Sequence, residues 1–289
     1  MSTGSASDPT PRVVVRDLAY VESPRWHDGR LWFAHWGAEE IVAVDLEGNA
    51  EVAAKGPPGL GWSIDWLAGT LLVTGHGLNR IEPDGSMVPH ADMSPVGVDD
   101  FNEIVVDGRG NVYVNGGVEF HPEQGTAPGI IALVTPDGSV RRVAEGIAFP
   151  NGMVVTPDNS TLVIAESFAR RLTAFDIDDD GSLSNRRVWA DGVGPDGICM
   201  DADGAIWVDV GEFGDNLVGR VLEGGEVLDT VKLDRACFAT ALSDQTLFML
   251  AADWHMSEGF EENIARLTQE PRTGVVVTAP APAPGAGRP

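Results

Sequence analysis

Six short apolar runs of one shape confine this chain to very few architectures. They start at Leu31 (LWFAHW), Leu71 (LLVTGH), Val112 (VYVNGG), Leu162 (LVIAES), Ile206 (IWVDVG) and Leu247 (LFMLAA). Successive starts lie 40, 41, 50, 44 and 41 residues apart. A period of about 40–45 residues, built from strands and Gly turns, is the pattern of propeller blades. Most of the runs follow a turn, such as Asp28-Gly29 or Asp203-Gly204, and a further apolar segment precedes each turn. A second strand pair comes after most of them, as in IVAVD-LEG-NAEVAA and IALVT-PDG-SVRRVA. The reading is an all-β, six-bladed β-propeller with four-stranded blades.

A ring sheet loses its seam when the final blade takes a strand from the other terminus. Residues 13–16 (VVVR) are therefore expected to pair with residues 275–278 (VVVT). The alternative makes 263–267 the strand and leaves the N-terminal run loose. No linker interrupts the repeat, so residues 12–278 read as one domain, with a flexible N-terminus at 1–11 and a flexible Pro/Ala-rich tail at 279–289. The 35 Gly and 19 Pro supply the turns such a fold needs.

With 19 basic against 44 acidic residues the net charge is −25, which argues against nucleic acid or an anionic membrane as partner. A small-molecule partner fits better, and the acidic surplus favours cations at a cleft. No apolar run reaches the ~20 residues of a membrane span. The first 11 residues have neither a basic nor an apolar stretch of the secretory kind. Cys199 and Cys237, both in apolar runs, are expected as buried thiols of a cytoplasmic protein rather than as a disulfide. G-x-S-x-G, the phosphate-binding loop and zinc-type Cys clusters are all missing.

Pro-Asp-Gly occurs three times. At 83–85 and 136–138 it sits between apolar runs and reads as a hairpin turn; at 195–197 it opens a strand-like run instead. Asp196 lies 10 residues upstream of its second strand, and Glu22, Asn102 and Asn151 lie 9, 10 and 11 residues upstream of theirs. First strands line the central channel of a propeller, so these four positions form a ring around the axis. Carboxylates and amides packed there unpaired would be costly to desolvate. A cation removes the conflict: Glu22, Asn151 and Asp196 offer the hard oxygen ligands of a divalent ion, with coordination positions left open.

The strings ESPRW, FPNGMVVTPD and PDGICMDADGAIWV, with SNRRVWAD between the last two, resemble the gluconolactonase / senescence marker protein / luciferin-regenerating enzyme family, over residues 12–287. The resemblance implies a six-bladed propeller holding one divalent metal through Glu22, Asn151 and Asp196, with Asp196 also the base that activates water for lactone hydrolysis. Calcium is the first expectation; magnesium, manganese and zinc are the alternatives. It further implies that Asn102 contacts substrate. The family's Arg-Phe-Asn-Asp string here reads Asp100-Phe101-Asn102-Glu103, so Asp100 stands where the family has a cation.

If first strands start at the metal face, second strands end there. Their ends carry His35-Trp36, His76, Asn115, Glu166, Asp209 and Asp253, and the long 115–129 connection adds Glu119 and His121. Candidate substrate contacts are thus Asn102, Asp100, Trp36, His76, Glu119 and His121, with Trp36 and Trp62 as flat apolar walls. Residues 254–273 form a candidate lid. With acids on the metal face and no cation at position 100, a small neutral, partly apolar lactone is expected as substrate over a phosphorylated or carboxylated one. Another ester, non-hydrolytic chemistry at the same metal, or a non-catalytic binding propeller are the alternatives.

Overall fold

Many of these strands are buried along their whole length rather than on alternate residues. Gly129–Val134, Pro150–Val155 and Thr161–Glu166 have no residue open to solvent. Both faces of each sheet must therefore be covered, and a ring of sheets does this. The computed structural model describes residues 10–118, 120–121, 125–212, 214–255 and 257–288, with 120–121 and 125–126 as backbone alone. Six antiparallel sheets form the blades of a six-bladed β-propeller.

The innermost strands are Val21–His27, Ile64–Leu67, Asp100–Val106, Pro150–Val155, Cys199–Met200 and Ala236–Leu242. The second strands begin at Arg30, Thr70, Val112, Thr161, Ile206 and Thr246, each within one residue of the apolar runs that define the repeat. Each of six apolar clusters fills one gap between neighbouring blades. Val154, Val163 and Leu172 of blade four, for example, meet Met200, Ile206 and Val208 of blade five.

The ring closes as the termini suggest. Strand Arg12–Leu18 is outermost in blade six and pairs with Gly274–Pro280 in the register Val13↔Val277, Val15↔Val276, Leu18↔Gly274. Residues 263–267 fall instead within a helix, Phe260–Thr268, inserted between two strands of blade six. The paired strand runs two residues past 278, and the segment beyond it is not a free tail. The amides of Ala281 and Gly285 donate to Gln245 O (3.0 Å) and Ser243 O (3.0 Å), and that of Ala286 to Met200 O (2.8 Å). Ala283 is buried, and Arg288 O accepts from Val155 N (3.2 Å). Small Ala, Pro and Gly side chains let this segment lie close across the lower ends of blades four to six. A cavity of about 630 Å³ remains at that lower face, beneath Arg25, Trp26 and Asp65.

Turn chemistry separates the three Pro-Asp-Gly copies. Gly85 (φ 83°) and Gly138 (φ 85°) occupy the left-handed region of tight turns, with amides donating to Glu82 O and Thr135 O at 2.8 Å. Asp84 accepts from the Ser86 hydroxyl and amide, and Asp137 from the Thr135 hydroxyl and the Ser139 amide, which holds both carboxyls below their usual range, Asp137 at about 2. Gly197 has no positive φ. Its amide donates across to Phe238 O (2.8 Å), and a Cβ there would stand 2.4 Å from that of Ala239. The third copy is a point of close approach between blades.

Candidate metal centre

First strands run from the upper face to the lower, so their N-terminal residues ring the upper mouth of the channel. Three of them are bulged where the polar residues sit. Register shifts fall between Glu22 and Arg25, Phe101 and Ile104, and Pro150 and Met153. A bulge turns a side chain out of the regular alternation. Ser23, at φ 53°, marks the first of them.

Neighbouring strands are then stitched together at this level. Asn115 Nδ2 donates to Asn151 O (2.7 Å), and Gly152 N donates to Asp196 O (3.2 Å). A Cβ on Gly152 would stand 2.6 Å from Ile198 N and 2.7 Å from Asp196 O, so the residue after Asn151 has to be small. Asn-Gly and Asp-Gly here serve strand approach and not turns.

Glu22 and Asn151 are buried, and Asp196 is partly open. The Asn151 amide donates to the Asp196 carboxylate, which favours its ionised form. Desolvation, with the Glu103 and Asp209 charges, outweighs that bond and pushes Asp196 up to about 7. Burial, then Asp196, then Glu103 raise the Glu22 carboxyl well above its ordinary range. Tyr20 is raised by burial and by the same two acids, Glu22 and Asp196, so its phenol belongs to this neighbourhood.

The Arg25 guanidinium, three residues on from Glu22, is engaged elsewhere. It donates to Glu103 Oε2 (3.1 Å), Ile104 O (2.7 Å) and Pro24 O (3.0 Å). This buried ion pair joins blade one to blade three and separates the upper mouth from the lower cavity. Two acids at the axis thus stay charged only at a cost, which a cation would relieve. Among the described residues no group of three or more His, Cys, Asp or Glu is arranged to hold an ion. A cation at this mouth would rest on two carboxylates and an amide oxygen, a hard donor set that suits it.

The other sequence candidates divide. Asn102, half-buried, donates to Pro150 O (3.4 Å), and its neighbour across the channel wall is Gly61. Asp100 and His76 are exposed on the upper rim, 3.4 Å apart, where the short strand Gly75–His76 adds to blade three. Trp36 and Trp62 are not walls. Both are buried, with Trp36 Nε1 donating to Trp62 O (2.7 Å), because the two separate loops that carry them pack together into the core between blades one and two. Glu119 and the His121 side chain lie outside the described residues.

Glu166 is turned away from the mouth. It binds Ala148 N, Thr173 Oγ1, Arg171 and Arg186, and so fixes the loop before Asn151. Cys199 and Cys237 are both free thiols. Tyr20, Arg25 and the stacked pair Phe149–Phe168 (4.4 Å) were not singled out by the repeat, although Tyr20 and Arg25 flank Glu22 in the chain and Phe149 stands two residues before Asn151.

The family description "SMP-30/Gluconolactonase/LRE-like region" matches residues 20–253, which include all three axial positions. The chain belongs to this family. Among its relatives, a pentonolactonase from Haloferax volcanii is 26% identical over 219 residues, 68% of each chain. Regucalcin from Danio rerio is 32% identical over 143 residues, 46% of each chain. Among solved structures, a luciferin-regenerating enzyme superposes with a TM-score of 0.78 at 18% identity, covering 96% of this chain and 97% of the other. At that identity the superposition speaks for the propeller alone. Among the described residues no helix is long and apolar enough to cross a membrane.

Proposed function

We propose that this protein is a divalent-cation-dependent lactonase acting on a small neutral lactone. One observation carries the reading: Glu22, Asn151 and Asp196, from three different blades, share one charge-strained mouth, with the Asn151 amide on Asp196 and Asp196 raising Glu22. Membership of a family that includes a pentonolactonase supports the reaction type.

Glu22, Asn151 and Asp196 would hold the ion, and calcium fits best because it accepts several oxygen ligands in loose geometry and leaves room for water. A bound divalent cation supplies Lewis-acid polarisation of the lactone carbonyl. Asp196 removes a proton from water as the water oxygen bonds to the carbonyl carbon. The ring C–O bond then breaks, and the proton on Asp196 passes to the departing alkoxide, giving the hydroxy acid. Asp196, kept ionised by a bound cation, is able to take that proton, and such assistance contributes typically ~10²–10⁴-fold. The Asn102 amide orients substrate in this reading. The Arg25–Glu103 pair closes the mouth from below.

The test joins elemental analysis of the purified protein to a lactone screen. About one equivalent of a divalent metal, loss of turnover on chelation and its return with the salt are expected. Asp196→Asn should abolish hydrolysis while circular dichroism and thermal midpoint remain those of a folded propeller. Turnover at the parent rate in that variant would refute the assignment.

A further inference from the structure

The upper mouth bears apolar surface that the metal chemistry does not use. Among the described residues, exposed large apolar side chains on connections between strands include Leu46 at the lower face, and Leu60, Phe168 and Phe260 at the upper. Phe168 and Phe260 are each 57% exposed, which costs solvation unless something covers them.

Each aromatic group reaches back to the candidate ligands. On one side Phe168 stacks on Phe149 at 4.4 Å with an interplanar angle of 16°. Its neighbour Ser167 lies 3.4 Å from Asn151 Nδ2. Two backbone bonds, Ser167 N to Phe149 O (3.1 Å) and Phe168 N to Ala148 O (3.2 Å), hold that pair rigid. On the other side a line of rings leaves the Glu22 neighbourhood through Tyr20–Phe238 (5.2 Å), Phe238–Trp254 (5.8 Å) and Trp254–Phe260 (5.9 Å). The helix Phe260–Thr268 carries its far end and is anchored by Tyr20 N donating to Leu267 O (2.9 Å). One aromatic pair therefore starts beside Asn151, the other continues the buried Tyr20 and Phe238 outward from the Glu22 neighbourhood, and both end in solvent.

We infer that these two aromatic walls, Phe149–Phe168 and Trp254–Phe260, bind a hydrocarbon substituent carried by the substrate, so that the preferred ligand is an alkyl- or aryl-substituted lactone and not a polyhydroxylated one. The stacked pair Phe149–Phe168 and the edge-on pair Trp254–Phe260 both present apolar surface and few donors, which suits a hydrocarbon chain and leaves sugar hydroxyls unpaired. The acids of the rim, Asp100 among them, oppose an anionic substituent. The inference rests on the lactonase reading for its chemistry, but not for its binding.

The experiment compares γ-butyrolactone, γ-valerolactone, γ-nonalactone and gluconolactone, with isothermal calorimetry of the same compounds on the Asp196→Asn protein. In the parent, kcat/KM is expected to rise roughly threefold to fourfold for each methylene buried. Phe168→Ser and Phe260→Ser, both at exposed positions, should cut the nonalactone-to-butyrolactone ratio about tenfold. Leu46→Ser, at the opposite face, should not change the ratio. A flat chain-length series with butyrolactone still hydrolysed overturns the walls and leaves the lactonase reading standing. Binding that rises with chain length without turnover of any lactone does the reverse. Sedimentation showing a dimer that Phe260→Ser dissociates would assign these faces to a second copy of the chain and overturn the inference.

Discussion

Replacing Asp196 by Asn should make the cation-free protein more resistant to unfolding, and more so as pH rises. The folded carboxyl at about 7 stands above its ordinary 3.8, so the native state binds more protons than the unfolded one between those values. Stability contributed by this group is then greatest at low pH and declines as pH rises toward the folded value. Working the two proton affinities through linkage gives a penalty of about 1.7 kcal/mol near pH ~5 and about 4 kcal/mol near pH ~8, a difference of about 2.5 kcal/mol. Asp196 keeps part of its surface open, which makes that difference an upper limit. Glu22 is raised in the same direction and partly by Asp196, so the substitution relieves both acids.

The assay is urea unfolding of parent and Asp196→Asn in chelator at several pH values across that window. Taking the difference between the two proteins cancels the general repulsion of a chain of net charge −25. With saturating calcium the parent should gain stability, about 2.7 kcal/mol at a hundredfold excess over Kd, and the variant should gain little. The gain should shrink as pH falls below about 7, where protons compete for Asp196. A parent-minus-variant difference that stays flat with pH would refute the reasoning, because Asp196 would then be an ordinary solvated carboxyl.

The packing sets three further outcomes. Asn115→Leu removes the amide that holds Asn151 O and accepts from Glu103 N, so calcium affinity by calorimetry should fall roughly 10–100-fold. Gly152→Ala drives a methyl into Ile198 N and Asp196 O and should cost about 1–3 kcal/mol in urea unfolding; no loss would mean that blade five yields there. Arg25→Met strands the buried Glu103 and should cost about 3–5 kcal/mol, most of it recovered in the Arg25→Met/Glu103→Gln double variant.

The ring was legible because each blade repeats one physical problem. A second strand buried on both faces must be apolar throughout, and it must follow a turn, so LVIAES and IWVDVG announce themselves at a steady interval. Glu22, Asn151 and Asp196 stood out for the converse reason, as polar residues at one phase of an apolar repeat. What the repeat could not reveal is set by local irregularity. Bulges at Glu22–Arg25 and Pro150–Met153 decide which side chain reaches the axis, and nothing in composition encodes their direction. Trp36 and Trp62 looked like open rings because their two loops have no periodicity, yet a loop can fold inward when its indole N–H finds a carbonyl. The Pro/Ala stretch after Thr278 resembled a free end because small residues pack without an apolar signature.

The seam in blade six couples chain synthesis to the site. Thr278 Oγ1 reaches Arg12 O across 266 residues, and the innermost strand of blade one lies against that same blade. Glu22 thus leaves the ribosome well before its surroundings can be completed, because the closing strand follows more than two hundred residues later. Until that strand emerges, the growing polypeptide is an arc with two bare sheet ends, and any early partial centre is held on one side only. An ion bound at this mouth would therefore be captured late in the life of the nascent chain, and a reporter of capture would also report closure.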